Sequence, residues 1–223
     1  MFRLVCLTLC LTVLVTSCAT MDQSFAPDLA TTRTSKVWEG DTAAARLSAK
    51  DGSAAVEFTQ PSGQDQEKIL WLDRYSFTNG VIEFDAKGQA APPQSSFVGI
   101  AFRVADAKNY DAVFFRPFNF QAANPMNRSR SVQYMSLPAF PWNRLRQEKP
   151  GQFEKGIDPA PNGADWFHVR IVVERPSISV FVNGASEPAL AVGELSDRAA
   201  GSVGLWANGF GMISNLRITP SSN

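Results

Sequence analysis

Residues 97–118 read FVGIAFRVADAKNYDAVFFRPF, and the period of that stretch decides the architecture. Val98, Ile100, Phe102 and Val104 fall on one side of an extended chain, with Gly99, Ala101 and Arg103 on the other. From Asp111 to Phe118 a second strand follows, grouping Ala112, Phe114 and Arg116. Successive side chains of a strand point to opposite faces, so apolar residues at every second position make one buried face. A helix needs apolar positions three and four apart, and the chain beyond its first eighteen residues offers no convincing repeat of that kind.

The same alternation extends outward. In Val81–Ala86, Ile82, Phe84 and Ala86 share one face, and Val81, Glu83 and Asp85 the other. Residues 54–58, 68–73, 131–137, 166–174, 177–183, 202–207 and 211–219 read as further strands. Turn chemistry separates them at Asn79-Gly80, Arg175-Pro176, Asn183-Gly184 and Asn208-Gly209. Many short strands so punctuated predict an all-β antiparallel sandwich or jelly roll. Two irregular stretches, roughly 119–129 and 138–165, are rich in Pro, Asn and Gly, and long loops in a compact domain commonly carry function.

The chain opens differently. Arg3 precedes an apolar run from Leu4 to Val15, too short to span a bilayer and of the length of a signal-peptide core. It ends in Val15-Thr16-Ser17-Cys18, which resembles a bacterial lipobox. Cleavage after Ala19, with Ser17 and Ala19 as the small residues, is the rival. The three cysteines are Cys6, Cys10 and Cys18, so an exported domain would have no disulfide and would rest on an ordinary core. This predicts a signal peptide over 1–17, a lipidated Cys18 with a flexible tether over 18–35, and one domain over 36–220 lipid-anchored in the cell envelope, on the periplasmic or outer-membrane face.

Charge narrows the partners. Lys and Arg total 21, as do Asp and Glu, so the chain is formally neutral and nucleic acid is not an expected partner. Within it, Tyr110–Arg146 holds Arg116, Arg128, Arg130, Arg144 and Arg146 against Asp111 alone, a net of +4. Aromatic and amide side chains are interleaved there. Planar guanidinium donors beside aromatic faces suit a polar, ring-shaped or anionic ligand.

The runs Gly80–Asp85, Gly99–Arg103, Tyr110–Pro117, Val132–Tyr134, Trp166–Val173, Val180–Asn183, Gly201–Trp206 and Ser214–Ile218, in that order, resemble the concanavalin A-like jelly rolls of bacterial secreted proteins. The resemblance points in particular to 3-keto-disaccharide hydrolase-like domains and their laminin-G-like relatives. It covers nearly all of 36–219 and implies two stacked antiparallel sheets with a concave face that receives carbohydrate. Fold analogy does not itself assign a reaction.

Glu83 and Asp85, two residues apart on one strand, project from the same face about 7 Å apart. That spacing can serve a two-carboxylate glycosidase, whose pair stands roughly 5–10 Å apart. The jelly-roll glucanases carry a Glu-x-Asp-x-x-Glu strand of this kind, but here Gly88 stands in the third position. The competing reading is a solvent-facing strand.

Arg103 and Arg116 sit in apolar surroundings and need a partner: a ligand, or a neighbouring acid such as Glu83, Asp85 or Glu154. Asn119 follows Arg116. Gln133, Tyr134, Trp142 and Arg144 form a third group, with Trp142 suited to stack on a sugar while the polar side chains bond its hydroxyls. The competing reading has Trp142 cap an open end of the sandwich. If the chemistry of the 3-keto-disaccharide hydrolases is carried over, Glu154 or Glu83 is the base and Arg116 with Gln133 the enolate donors. His168, the single histidine, has no cysteine or Gly-x-Ser-x-Gly elbow for company and reads as structural. No cofactor is expected; calcium held by Asp and backbone oxygens in a jelly-roll loop stays open, although no dense acidic loop signals it. The expected partner is a carbohydrate, bound and, where the hydrolase resemblance extends to chemistry, cleaved, with the membrane reached through Cys18; the alternative is a non-catalytic glycan-binding module or a structural envelope lipoprotein.

Overall fold

The computed structural model describes residues 24–59, 66–90 and 96–221; the predicted signal peptide and Cys18 lie outside them. Among the described residues the strands run β1 Trp38–Gly40, β2 Ala45–Lys50, β3 Ser53–Phe58, β4 Glu67–Leu72, β5 Gly80–Lys87, β6 Ser96–Asp106 and β7 Asn109–Phe115. They continue as β8 Val132–Ser136, β9 Glu154–Lys155, β10 Phe167–Glu174, β11 Ser177–Val182, β12 Leu190–Gly193, β13 Ser202–Gly209 and β14 Gly211–Pro220. Two short helices, α1 Pro125–Arg128 and α2 Trp142–Glu148, interrupt the second half.

The strands form two seven-stranded sheets, with antiparallel pairing throughout. The front sheet is ordered β1-β4-β13-β6-β7-β8-β9, and the back sheet β12-β11-β10-β5-β14-β3-β2. The predicted jelly-roll sandwich is thus observed. Between the sheets lies the main core, in which Val98, Ile100, Phe102, Val113 and Phe115 of the front face Ile82, Phe84, Val169, Ile171 and Ile213 of the back. Each such side chain, removed from water, contributes roughly 1.5–3 kcal/mol.

The back sheet keeps the one-sided pattern: in β10 alternate residues from Phe167 to Val173 are buried, and those between them are partly or wholly exposed. The central front strands do not. Every residue of β8 and all but Asn109 of β7 are buried, because a second apolar layer covers the outer face of the front sheet. That layer comprises Ile69, Ala101, Val104, Tyr110, Ala112, Phe114, Met135, Leu145 and Trp206. Leu145 comes from α2, so the stretch 138–165 is not wholly irregular: it supplies a helix that roofs part of this sheet.

Three further expectations are corrected. Arg103 adopts φ 49°, and the pairing of β6 with β7 shifts register between Phe102 and Asp106. Alternation breaks there, and Val104 joins the outer layer instead of the face of Val98, Ile100 and Phe102. The second strand ends at Phe115, since Pro117, which has no N–H to donate, opens a 3-10 turn over Pro117–Asn119. The chain from Ser24 is docked, so residues 24–35 are not the flexible tether expected of them. Phe25 exchanges backbone hydrogen bonds with Ile218, its ring stacks on Tyr75, and Leu29 enters the main core. Of the expected turns, Asn183-Gly184 has φ of 51° and 71°, the sign a tight turn of this kind needs. Asn208 instead remains in β13, paired with Glu67 and Phe97.

Candidate functional site

Register places one row of residues side by side across the outer face of the front sheet. Trp206 of β13 pairs with Gly99 of β6, Gly99 with Phe114 of β7, Phe114 with Gln133 of β8, and Gln133 with Glu154 of β9. Gly99 has no side chain to separate its neighbours, so the Phe114 and Trp206 rings meet over it, with centroids 4.8 Å apart. A Cβ there would lie 2.1 Å from the Val113 carbonyl oxygen and 2.6 Å from Phe114 Cα. The glycine is required by that approach.

This aromatic floor lies at the bottom of a cleft of about 270 Å³. Phe97 and Phe118, in edge contact at 5.3 Å, line one side, and Trp142 of α2 overhangs the floor. Asn119, Asn127 and Asn208 bring amides to the lining, and Glu67 lies among its residues on β4. Trp142 remains 40% exposed, unusual for so large an apolar side chain, and so offers a ring face to a ligand.

The end of the cleft toward β8 and β9 is cationic. Arg116 is buried, stacked within 4.8 Å of the Phe114 ring centre and 5.8 Å of that of Trp142. Its Nη2 donates to Gln133 Oε1 at 2.5 Å, and its Nη1 to the Arg130 carbonyl at 3.2 Å. Gln133 in turn donates to the Trp142 carbonyl at 3.3 Å, tying the arginine to α2. Burial, then the charges of Arg146 and Arg130, outweigh the opposing pull of Glu154 and bring the Arg116 guanidinium down to about 9.

Glu154 is the shared counter-ion. Arg146 grips it as a fork, Nε to Oε1 at 3.1 Å and Nη2 to Oε2 at 2.7 Å, while Arg130 stands at 3.6 Å and Arg116 at 3.7 Å. At the β4 side, Glu67 accepts the Tyr110 hydroxyl at 2.6 Å, and that hydroxyl accepts from Trp206 Nε1 at 3.2 Å. Burial and the Glu67 charge push the Tyr110 phenol well above its ordinary value.

The expected site residues divide. Arg116, Asn119 and Trp142 line the cleft, and Gln133 and Glu154 support it from behind. Glu83 and Asp85 do not reach it, because they lie on the outer face of the back sheet. There Asp85 accepts from Asn215 at 2.7 Å and Lys50 at 2.9 Å, with His168 Nδ1 also at 2.9 Å. Burial pushes the Asp85 carboxyl up, but those hydrogen bonds outweigh it and hold it below its ordinary value. Glu83 pairs in register with Arg170 and Arg217 and lies 3.8 Å from His168 Nε2.

Arg103 is also elsewhere, fully buried, with its ion pairs to Glu194 at 2.6 Å and Asp111 at 3.9 Å and a hydrogen bond to the Thr78 carbonyl. The acids expected to pair with it were others. Tyr134, one step along β8 from Gln133, faces the main core, where its hydroxyl accepts from Leu195 N. Arg144 turns back on α2 to Glu148 and to the Ala139 carbonyl, away from the cleft lining. Residues not anticipated as site residues are Glu67, Phe97, Phe114, Phe118, Asn127, Arg130, Arg146, Trp206 and Asn208. The arginine-rich segment contained the signal for Arg130 and Arg146; the aromatics look like ordinary strand residues. Among the described residues, no group of three or more His, Cys, Asp or Glu side chains is placed to hold a metal ion.

No protein-family model matches the chain, and no curated protein sequence matches it. Solved structures do. The carbohydrate-binding module CBM66 from Bacillus subtilis superposes with a TM-score of 0.55 at 11% identity, over 82% of this chain and 96% of that one. A prokaryotic β-1,3-1,4-glucanase (lichenase) derived from a mouse hindgut metagenome gives 0.55 at 11% identity, over 88% and 98%. The exoplasmic/lumenal domain of VIP36, in a Ca2+/Man-bound form, gives 0.54 at 10% identity, over 92% and 98%. With these likenesses and its two seven-stranded antiparallel sheets, the chain has the concanavalin A-like jelly-roll fold.

Proposed function

We propose that the front-sheet cleft binds a carbohydrate, and that the protein is a glycan-binding domain. The observation that carries this reading is the half-exposed Trp142 at the cleft backed by the buried Phe114–Trp206 pair, ringed by Asn119, Asn127, Asn208 and arginine donors. A sugar ring has an apolar face that stacks on aromatics and an equator of hydroxyls that needs planar donors and acceptors, and this cleft offers both. The similar structures include a carbohydrate-binding module and a mannose-bound domain, which supports the same reading. The volume is near the low end for small-ligand sites, roughly 300–1,000 Å³, so a short saccharide segment fits and a longer polymer would extend beyond it.

Cleavage has weaker support. The carboxylates at the cleft are Glu67 on β4 and Glu154 on β9, five inter-strand steps apart in the sheet. At about 4.8 Å per step that is ~24 Å along the sheet, against the roughly 5–10 Å of a glycosidase pair. Glu154 is held by Arg146, Arg130 and Arg116, which favours its role as a counter-ion over that of a base removing a proton from a 3-keto sugar. Tryptophan emission followed while soluble β-glucan, fructan and uronide oligosaccharides are added tests both points. A saturable change with one class, weakened at least about tenfold by Trp142→Ala and without new products on chromatography, is expected. No response to any class, or turnover of the saccharide, would count against it.

The leader reading adds location. Lipidation of Cys18 would hold the domain at the cell envelope through its acyl chains, with the membrane as an anchor and not a ligand. Metabolic labelling with an alkyne fatty acid should mark the wild type and leave Cys18→Ser unmarked; equal labelling of both would remove the anchor from the account.

A further inference from the structure

The two sides of the cleft differ in charge, and that difference bears on which saccharides fit. Arg116, Arg130 and Arg146 converge on Glu154, three guanidinium groups on one carboxylate, an excess of two positive charges at that end. Access to them is unequal. The Arg130 and Arg146 side chains are 30% and 25% exposed, whereas that of Glu154 is 5% exposed. From the cleft an incoming group therefore meets the Arg130 and Arg146 guanidiniums first, while Arg116 and Glu154, each 5% exposed, lie behind them. All three arginines line the cleft, and Arg130 and Arg146 also line a second hollow beside it, with Glu154 and Lys155. The same crowding that depresses Arg116 would be relieved by a second anion.

We infer that the ligand is an acidic saccharide whose carboxylate binds between Arg130 and Arg146, above the buried Arg116, with its ring against the exposed face of Trp142. This rests on the glycan reading above and adds its chemical class. The planar fork of a guanidinium matches a carboxylate edge to edge, which is how Arg146 already holds Glu154. At the β4 side, Glu67 is an acceptor and repels a second acid, so the acidic unit lies toward β8 and a unit donating hydroxyls lies toward β4.

Calorimetric titration with diuronides of galacturonate, glucuronate and mannuronate, each beside its twin with carboxyls reduced to alcohols, tests this. At least one diuronide should bind about tenfold or more tighter than its neutral twin, with the gap narrowing as salt is raised. Arg130→Gln, at a partly exposed arginine, should bring the pair to within about threefold while the circular dichroism spectrum stays that of the wild type. Arg146→Gln repeats the test at the opposite side of Glu154. Equal or tighter binding of the neutral twins would overturn the acidic class and leave glycan binding standing. No binding of any member would overturn both.

Discussion

The outer faces of the two sheets are built by the same alternation and end with opposite properties. On the back sheet, the two central carboxylates have cross-strand partners: Glu83 beside Arg170 and Arg217, Asp85 beside Lys50, His168 and Asn215. On the front sheet, the same alternate positions carry Trp206, Phe114 and Met135, and connections through α1 and α2 rise around them. A face of compensated charges is satisfied by its own neighbours and by water. A face of aromatic rings walled by loops is left with a dry floor and surplus donors. The candidate site lies where loops cover the front sheet, whereas Glu83 and Asp85 line a more open hollow on the back sheet with Ala26, His168 and Arg217.

The largest effect should come from breaking the front floor. Phe114 is buried against Trp206 and Arg116, so Phe114→Ala should cost about 3–5 kcal/mol in urea unfolding through the lost contacts and the cavity. A loss under ~1 kcal/mol would mean that the outer layer is not a second core.

On the back face, Asp85→Ala should cost about 1–2 kcal/mol at neutral pH, since solvent screens part of a charged hydrogen-bond set. Asp85 is held below its ordinary value in the folded chain, so its contribution is present above the unfolded value, about 3.9, and is lost as pH falls through the folded one. Unfolding curves of wild type and variant should thus converge below about pH 4. A gap that persisted into strong acid would contradict that assignment.

Trp142→Ala sharpens the contrast from the other side. With 40% of the residue exposed, it should cost only about 1–2 kcal/mol in stability while removing most saccharide affinity. Arg144→Ala should do least, about 0.5 kcal/mol or less, because its Glu148 pair is a solvated one a helical turn away. Saccharide binding should not change with it.

The sandwich was legible because a buried strand face cannot be made without alternation, as Ile82, Phe84 and Ala86 illustrate. Arg116 was legible for a related reason: a charged group in an apolar setting must find a partner. What alternation cannot show is which outer face the loops will cover, and Glu83 and Asp85 were misplaced on that account. Tyr134 was misassigned by one residue of register, enough to turn a side chain from cleft to core. Arg103 escaped because a left-handed residue inside β6 has no signature when it is not glycine. The cleft itself gathers Glu67, Phe97, Phe114, Trp142 and Trp206, far apart along the chain, whose proximity depends on strand order.

Electrophoresis through gels containing soluble β-glucan, fructan or polyuronate tests most directly that the front-sheet cleft is the binding site. Wild type and Asp85→Asn should be retarded equally by at least one polymer, and Trp142→Ala should migrate as it does in a gel without polymer. Retardation that survives in Trp142→Ala and disappears in Asp85→Asn would contradict the account and move the site to the back sheet.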